Sequence, residues 1–173
     1  KLNSKSRLGI KNLHKAKKMK AYRFLFLLIL FPFFTSCLTT GLEELPVYKD
    51  AEITNFKFEY RWSEKEGTSD LLKVKPLTVN LAINKEKQEI VCKITVPQAD
   101  SQGFTEAVRN NVSLNNIVGF CTISTAATIA PIGTSPALGK PADFSQPNMS
   151  YEVIAADKTT KKTWKLIIES FSK

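Results

Sequence analysis

The chain has 173 residues with 25 Lys and Arg against 16 Asp and Glu, a formal net charge of +9. Nine of the basic residues and none of the acidic ones lie in residues 1–36, so the remaining 137 residues carry 16 of each sign. The region after this basic leader is neutral overall, which excludes the strongly basic surface expected of a nucleic-acid-binding protein. It is long enough to form one domain without a metal or a disulfide.

An uncharged apolar stretch lies between basic residues and a cysteine near the N terminus. Residues 24–34 are eleven apolar residues, and Met19 upstream is a natural start. As a helix this stretch would span only about 16 Å, well short of the roughly 30 Å hydrocarbon core of a membrane. A basic segment, a short apolar segment and small residues before a cleavage point are typical of a secretory signal peptide. We therefore predict that residues 1–36 are a leader that is removed during export.

The end of this leader resembles the lipobox of bacterial lipoproteins. Its residues are Phe34-Thr35-Ser36-Cys37, and the resemblance implies cleavage between Ser36 and Cys37 with lipid attached to Cys37. Two or more acyl chains, which lipoprotein cysteines typically carry, give stable membrane anchoring. The alternative is an ordinary signal peptide whose border contains a cysteine. Residues 37–51 are then a tether, in which Glu43-Glu44 either resembles the surface-export signal of some Bacteroidetes lipoproteins or is a solvated charge pair.

Alternation of apolar and polar residues predicts β-strands from residue 52 onward. Four aromatic residues would share one face of the first strand, namely Phe56, Phe58, Tyr60 and Trp62. Side chains two positions apart point to the same side of a strand, so this face would be buried. A polar loop is expected at residues 63–70. Residues 77–83 and 90–96 alternate around a polar turn at 84–88, which predicts a hairpin.

The second half of the domain shows the same kind of pattern. Residues 98–116 are polar and irregular, with one helical turn expected at 104–109, and residues 117–129 predict one or two strands. The proline-rich residues 131–147 predict a loop or an irregular edge. Alternation over 151–155 and 164–168 predicts a closing hairpin. Short strands without a long helical pattern indicate an all-β fold, an antiparallel β-sandwich over residues 52–173.

Short motifs in this region follow one another in an order that resembles a known family. They are Ile53-Thr54-Asn55-Phe56, Ile94-Thr95-Val96-Pro97, Ala127-Thr128-Ile129-Ala130-Pro131, Pro141-Ala142-Asp143-Phe144-Ser145, Tyr151-Glu152-Val153, Ala155-Ala156-Asp157 and Trp164-Lys165-Leu166. The order resembles the immunoglobulin-like domains of Bacteroidetes surface lipoproteins, a family of largely unknown function often encoded near glycan-uptake systems. The resemblance implies an immunoglobulin-like sandwich anchored to the outer membrane, at the cell surface or, alternatively, on the periplasmic side. It supplies no catalytic residues.

Residues that carry common enzyme chemistry are scarce in the predicted domain. The one histidine, His14, lies in the leader, so the exported domain has none for a catalytic triad or a zinc site. Cys92 and Cys121 are 29 positions apart and too few for structural zinc. They would either form a disulfide, which export permits, or remain buried free thiols. We therefore expect no catalytic activity, no metal and no cofactor.

Four aromatic residues are the candidates for ligand contact, namely Tyr60, Trp62, Tyr151 and Trp164. All four also fit core positions, and Trp62 is the nearest to solvent because it ends its strand beside the polar loop. With the family resemblance, the sequence predicts a lipid-anchored binding or accessory module whose ligand is a glycan. The alternative is a structural or interaction subunit of a surface protein complex without a glycan ligand. No nucleic-acid partner is expected.

Overall fold

The computed structural model of the protein describes residues 47–173. The predicted leader, the cleavage point between Ser36 and Cys37 and the lipidation site Cys37 lie outside the described residues. No helix within the described part of the chain is long and apolar enough to cross a membrane.

Residues 47–173 contain nine strands and two short helical segments. The strands are β1 (Ile53–Glu66), β2 (Ser69–Pro76), β3 (Thr78–Asn84), β4 (Glu89–Thr95), β5 (Ile117–Ile123), β6 (Thr128–Ile132), β7 (Pro141–Ala142), β8 (Met149–Ile154) and β9 (Lys161–Ser172). The helical segments are α1 (Glu106–Asn110) and a 3-10 turn at Leu114–Asn116. The strands form two sheets, ordered β2-β1-β5-β7 and β3-β4-β9-β8-β6. The predicted all-β sandwich is confirmed.

The core is built from the residues that alternate along the strands. Phe56 and Phe58 of β1 are almost fully buried, because period-two alternation turns both to the same side. From the other sheet, Cys92 of β4, Tyr151 of β8 and Trp164 of β9 are fully buried. The two faces meet where the ring centroids of Phe56 and Tyr151 lie 6.2 Å apart.

One pair of strands departs from the predicted antiparallel arrangement. β4 and β9 run parallel, with Ile90 opposite Leu166. A tight turn cannot join parallel neighbours, so they need a long connection, and here the chain passes through β5 to β8 first. The five-stranded sheet is therefore mixed, whereas the four-stranded sheet is antiparallel.

Both predicted hairpins are confirmed, since β3 pairs with β4 and β8 with β9, each antiparallel. The predicted strand region 117–129 forms two strands in different sheets, β5 in the four-stranded sheet and β6 in the five-stranded one. The expected helical turn is α1, which begins after Thr105. The Thr105 Oγ1 atom accepts a hydrogen bond from the Val108 amide at 3.3 Å and so caps the helix.

The polar loop predicted at residues 63–70 is wrong. β1 continues to Glu66, the chain turns at Gly67, and Glu66 pairs with Ser69 at the start of β2. Gly67 has a φ of +63°, which glycine adopts without strain and which suits a two-residue hairpin turn. The end of this hairpin is exposed on both faces. It therefore lacks the apolar alternation that marks a half-buried strand.

Candidate binding site

Two of the four candidate aromatic residues are core residues. Tyr151 and Trp164 are fully buried. The Tyr151 hydroxyl donates to the Pro136 carbonyl at 2.8 Å, and Trp164 Nε1 donates to the Ala51 carbonyl at 3.0 Å. A buried ring whose polar atom has a partner stabilises the sandwich. Tyr151 and Trp164 are therefore packing residues, and the prediction that they contact a ligand is wrong.

The other two candidates, Tyr60 and Trp62, lie at the far end of the inward face of β1. Tyr60 is only 6% exposed, whereas Trp62 is half-buried. Their rings are nearly parallel, with an interplanar angle of 16° and a centroid distance of 6.0 Å. The Trp62 Nε1 atom donates to Glu64 Oε1 at 2.9 Å, which fixes the orientation of the indole. Trp62 is thus held in place by Tyr60 and Glu64 while part of it reaches solvent.

The loop that follows β4 packs beside Trp62. Phe104 of this loop is almost fully buried, and its ring centroid lies 5.7 Å from that of Trp62. Asp100 gives the loop its shape, because its Oδ1 atom accepts hydrogen bonds from the backbone amides of Gln102 at 2.8 Å and Phe104 at 3.2 Å. Gly103 has a φ of +101°, and a Cβ there would lie 3.0 Å from Glu64 Oε1. The loop therefore fits closely against the end of β1.

Two lysines of β2 project from the same face as these rings. In the antiparallel register Lys73 lies opposite Trp62, and Lys75 lies opposite Tyr60. Side chains of directly opposed residues share one face of the sheet and lie close together. Because β2 is an edge strand, both lysines lie beside the rings at the rim of the sheet.

Each of these lysines is paired with a carboxylate. Lys75 Nζ lies 2.5 Å from Asp100 Oδ2 and 5.3 Å from the centroid of the Phe104 ring. Lys73 Nζ lies 3.8 Å from Glu64 Oε2. The hydrogen bond from Lys75, together with those from the backbone amides, holds the pKa of the Asp100 carboxyl below its ordinary value. Asp100 is therefore ionised at neutral pH and is paired with Lys75.

These residues surround a cavity of about 230 Å³, which we call the Trp62 cavity. Its lining residues are Trp62, Lys73, Val74, Lys75, Pro76, Asp100, Gln102 and Phe104. Cavities for drug-sized ligands are roughly 300–1,000 Å³, so this one is the size for a single ring-sized group. An aromatic wall beside charged donors, a charged acceptor and an amide suits a ring that has both apolar faces and polar substituents.

A second cavity, of about 340 Å³, lies between the 3-10 turn, residues 144–149 and β9. Its lining combines apolar residues such as Leu114, Phe144 and Met149 with the uncharged polar residues Gln146 and Asn148, and Lys165 is the one charged residue that lines it. The Trp62 cavity differs because it combines aromatic rings with two charge pairs. We therefore take the Trp62 cavity as the candidate binding site.

Cys92 and Cys121 are free thiols. Of the two alternatives weighed from the sequence, a disulfide and buried thiols, the structure has the thiols. Burial raises the pKa of Cys92 to about 12 and that of Cys121 to about 11, so both are protonated at neutral pH. Among residues 47–173, no group of three or more His, Cys, Asp or Glu side chains is placed to hold a metal ion.

Sequence reasoning found Trp62 but missed the residues around it. Lys73 and Lys75 follow the segment that was predicted to be a loop, and no strand was assigned to them. Asp100 and Phe104 lie 38 and 42 positions after Trp62, in a segment predicted to be irregular. Phe104, the one aromatic residue among residues 98–116, was a signal that this segment packs against the domain.

Fold and site together define an all-β sandwich domain with a small, aromatic and charge-lined cavity at one end. The chain belongs to the DUF5018-related family, whose model matches residues 53–167. It is also similar to a crystal structure from Bacteroides fragilis NCTC 9343 named as a "putative secreted protein". The two chains share 35% sequence identity with a TM-score of 0.66, over 74% of this chain and 100% of that one. The comparison with curated proteins finds no match.

Proposed function

We propose that this protein is a lipid-anchored module of a Bacteroidetes outer membrane that faces the cell surface and binds a sugar ring of a glycan in the Trp62 cavity, without catalysis. The Bacteroides relative named as secreted supports export. The resemblance of residues 34–37 to a lipobox supports an anchor at Cys37. Both observations favour a location outside the cytoplasm.

The half-buried indole of Trp62 is the observation that carries the glycan part of this proposal. Tyr60 stacks against it and Glu64 fixes its orientation, so the ring is positioned before any ligand arrives. Sugar rings have apolar C–H faces that pack on aromatic rings, and hydroxyls that hydrogen-bond with charged groups. The pair of Lys75 and Asp100 lies within the same cavity and supplies both a charged donor and a charged acceptor.

The position of the cavity suits a domain that is tethered through its N terminus. Residues 47–52 enter the domain beside the β8–β9 turn, where the Tyr48 carbonyl accepts a hydrogen bond from the Asp157 amide at 3.3 Å. β1 then runs from Ile53 to Trp62, a distance of about 30 Å at roughly 3.3 Å per residue. The cavity therefore lies at the end of the domain opposite to the entering chain.

Binding of the purified protein to a panel of polysaccharides, measured by affinity electrophoresis and calorimetry, tests the glycan proposal. We expect at least one polysaccharide to bind, and Trp62→Ala to weaken it about tenfold or more, because a stacking ring contributes at least about 1.4 kcal/mol. Tyr48→Ala is the matched control, since Tyr48 is a 56% exposed aromatic residue at the opposite end. Full binding by Trp62→Ala would place the site elsewhere, and no binding by the wild type would contradict the proposal.

The proposed anchor and orientation need a separate test in cells. We expect Cys37→Ser to move the protein from the membrane to the soluble fraction, since its lipid would be lost. Protease added to intact cells should digest the wild-type domain while a periplasmic marker survives. Membrane retention of Cys37→Ser would refute lipidation, and protection from protease would place the domain on the periplasmic side.

A second candidate function is supported by strand β2. It forms an edge of the four-stranded sheet and carries the exposed apolar residues Leu71, Leu72 and Val74, with Leu72 59% exposed. An open edge with apolar side chains suits strand pairing with another protein. Under this alternative the protein is an interaction subunit of a surface complex without a glycan ligand. A partner that is captured by wild type and Trp62→Ala but lost with Leu72→Lys would favour it.

A further inference from the structure

Every charged side chain that lines the Trp62 cavity has a partner of opposite sign. Lys75 is paired with Asp100 at 2.5 Å, and Lys73 is paired with Glu64 at 3.8 Å. Asp100 also accepts two backbone hydrogen bonds through its other oxygen, so its charge is held in place. The two lysines and the two carboxylates sum to no net charge. Each ammonium charge is therefore already offset by a nearby carboxylate.

We infer that the Trp62 cavity selects an uncharged sugar and discriminates against sugars that carry a carboxylate or a sulfate. This inference rests on the proposed function, because it names the ligand class of the same cavity. An anionic sugar would have to compete with Asp100 for Lys75, or with Glu64 for Lys73. It would also bring a like charge close to these carboxylates, which is unfavourable in a partly dehydrated site.

A neutral hydroxyl meets no such competition. The Lys75 ammonium has three donors and uses one of them on Asp100, while each Asp100 oxygen has more than one lone pair. A sugar hydroxyl both donates and accepts, so it can bond to the ammonium and to the carboxylate without separating them. The Gln102 side chain, which also lines the cavity, adds an uncharged donor and an acceptor. This donor and acceptor set therefore complements neutral hydroxyls.

A matched pair of ligands isolates the effect of charge. The probes are a neutral polysaccharide that binds in the panel and the same polymer after oxidation of its primary hydroxyls to carboxylates. We expect the neutral polymer to bind the full-length protein about tenfold tighter or more, with little change from low to high salt. The Trp62 indole N–H resonance should shift on binding, whereas that of the buried Trp164 serves as an internal reference.

Two variants test whether the charge pairs set this preference. Asp100→Asn leaves Lys75 unpaired and Glu64→Gln leaves Lys73 unpaired, so each should narrow the neutral-to-acidic affinity ratio by about twofold to fivefold. Glu64→Gln keeps a carbonyl oxygen for Trp62 and keeps the Asp100 hydrogen bonds that shape the loop, so it remains informative if Asp100→Asn unfolds the loop.

The outcomes separate this inference from the proposed function. Equal or tighter binding of the oxidised polymer, or a panel in which only acidic polysaccharides bind, would overturn the inference and leave glycan binding standing. An unchanged affinity ratio in the folded Glu64→Gln variant would also overturn it. A panel in which no polysaccharide binds would overturn both.

Discussion

Replacing Gly119 by alanine should destabilise the sandwich through one steric contact. Gly119 lies in β5 opposite Phe58, on the inward face. A Cβ atom at this position would lie 2.6 Å from Phe144 Cζ, 2.9 Å from Phe144 Cε1 and 3.3 Å from Phe56 Cε1. The first two distances are shorter than real Cβ contacts, so the Phe144 ring must move.

The structure also indicates why this ring cannot move freely. Phe144 is 1% exposed and packs edge-to-face on Phe58, with a centroid distance of 5.1 Å and an interplanar angle of 88°. Its backbone amide donates to the Leu114 carbonyl at 2.8 Å, which fixes its main chain. Overpacking of this kind costs about 1–3 kcal/mol. Restricting the unfolded chain returns about 0.4–1 kcal/mol, because Gly119 does not need a positive φ.

We therefore expect Gly119→Ala to lower the free energy of unfolding by about 1–2 kcal/mol and the Tm by about 4–8 °C. Urea denaturation and calorimetry of the purified protein measure both. In a Gly119→Ala background, Phe144→Leu should cost less than it does alone, because the smaller side chain gives the new methyl group room. A Gly119→Ala protein as stable as the wild type, or more stable, would refute the packing argument.

Three further predictions concern buried and charged groups. Tyr151→Phe should lower the free energy of unfolding in urea by about 1–2 kcal/mol, because it leaves the buried Pro136 carbonyl without its donor. Burial raises the pKa of Cys92 from 9.0 to about 12 in the folded protein. The contribution of this thiol to stability is therefore fully present below pH 9 and is lost as the pH rises toward 12. Cys92→Val should remove that alkaline loss, and an unchanged pH profile would contradict this account. The pKa of Asp157 is held below its ordinary value of 3.8, chiefly by the hydrogen bond from the Thr160 hydroxyl. The ionised carboxylate therefore stabilises the fold above pH 3.8, and this contribution is lost as the pH falls below that value. Asp157→Asn should accordingly destabilise the protein more at pH 7 than under such acid conditions. Equal destabilisation at both pH values would exclude this electrostatic role.

Whether a feature of the fold could be predicted from the sequence depends on how local that feature is. The hairpins β3–β4 and β8–β9 were predictable because each has two alternating segments around a short turn. The β1–β2 hairpin was missed because its end projects beyond the core, where neither face needs apolar residues. Alternation along the strands indicated that Tyr151 and Trp164 fit core positions. Only their tertiary hydrogen bonds, to the carbonyls of Pro136 and Ala51, exclude them from ligand contact.

The sequence by itself determined the all-β class, most strands and the inward faces, because side-chain alternation with period two is a local property. It also identified Trp62 as the candidate aromatic residue nearest to solvent, although β1 continues past it to Glu66. Only the tertiary structure decided which strands are neighbours, including the parallel pair β4–β9, and which residues surround Trp62. Asp100 and Phe104 reach Trp62 through the path of a loop, and Lys75 reaches Asp100 through strand register. Such contacts depend on the geometry of the whole sandwich, so no local pattern in the sequence encodes them.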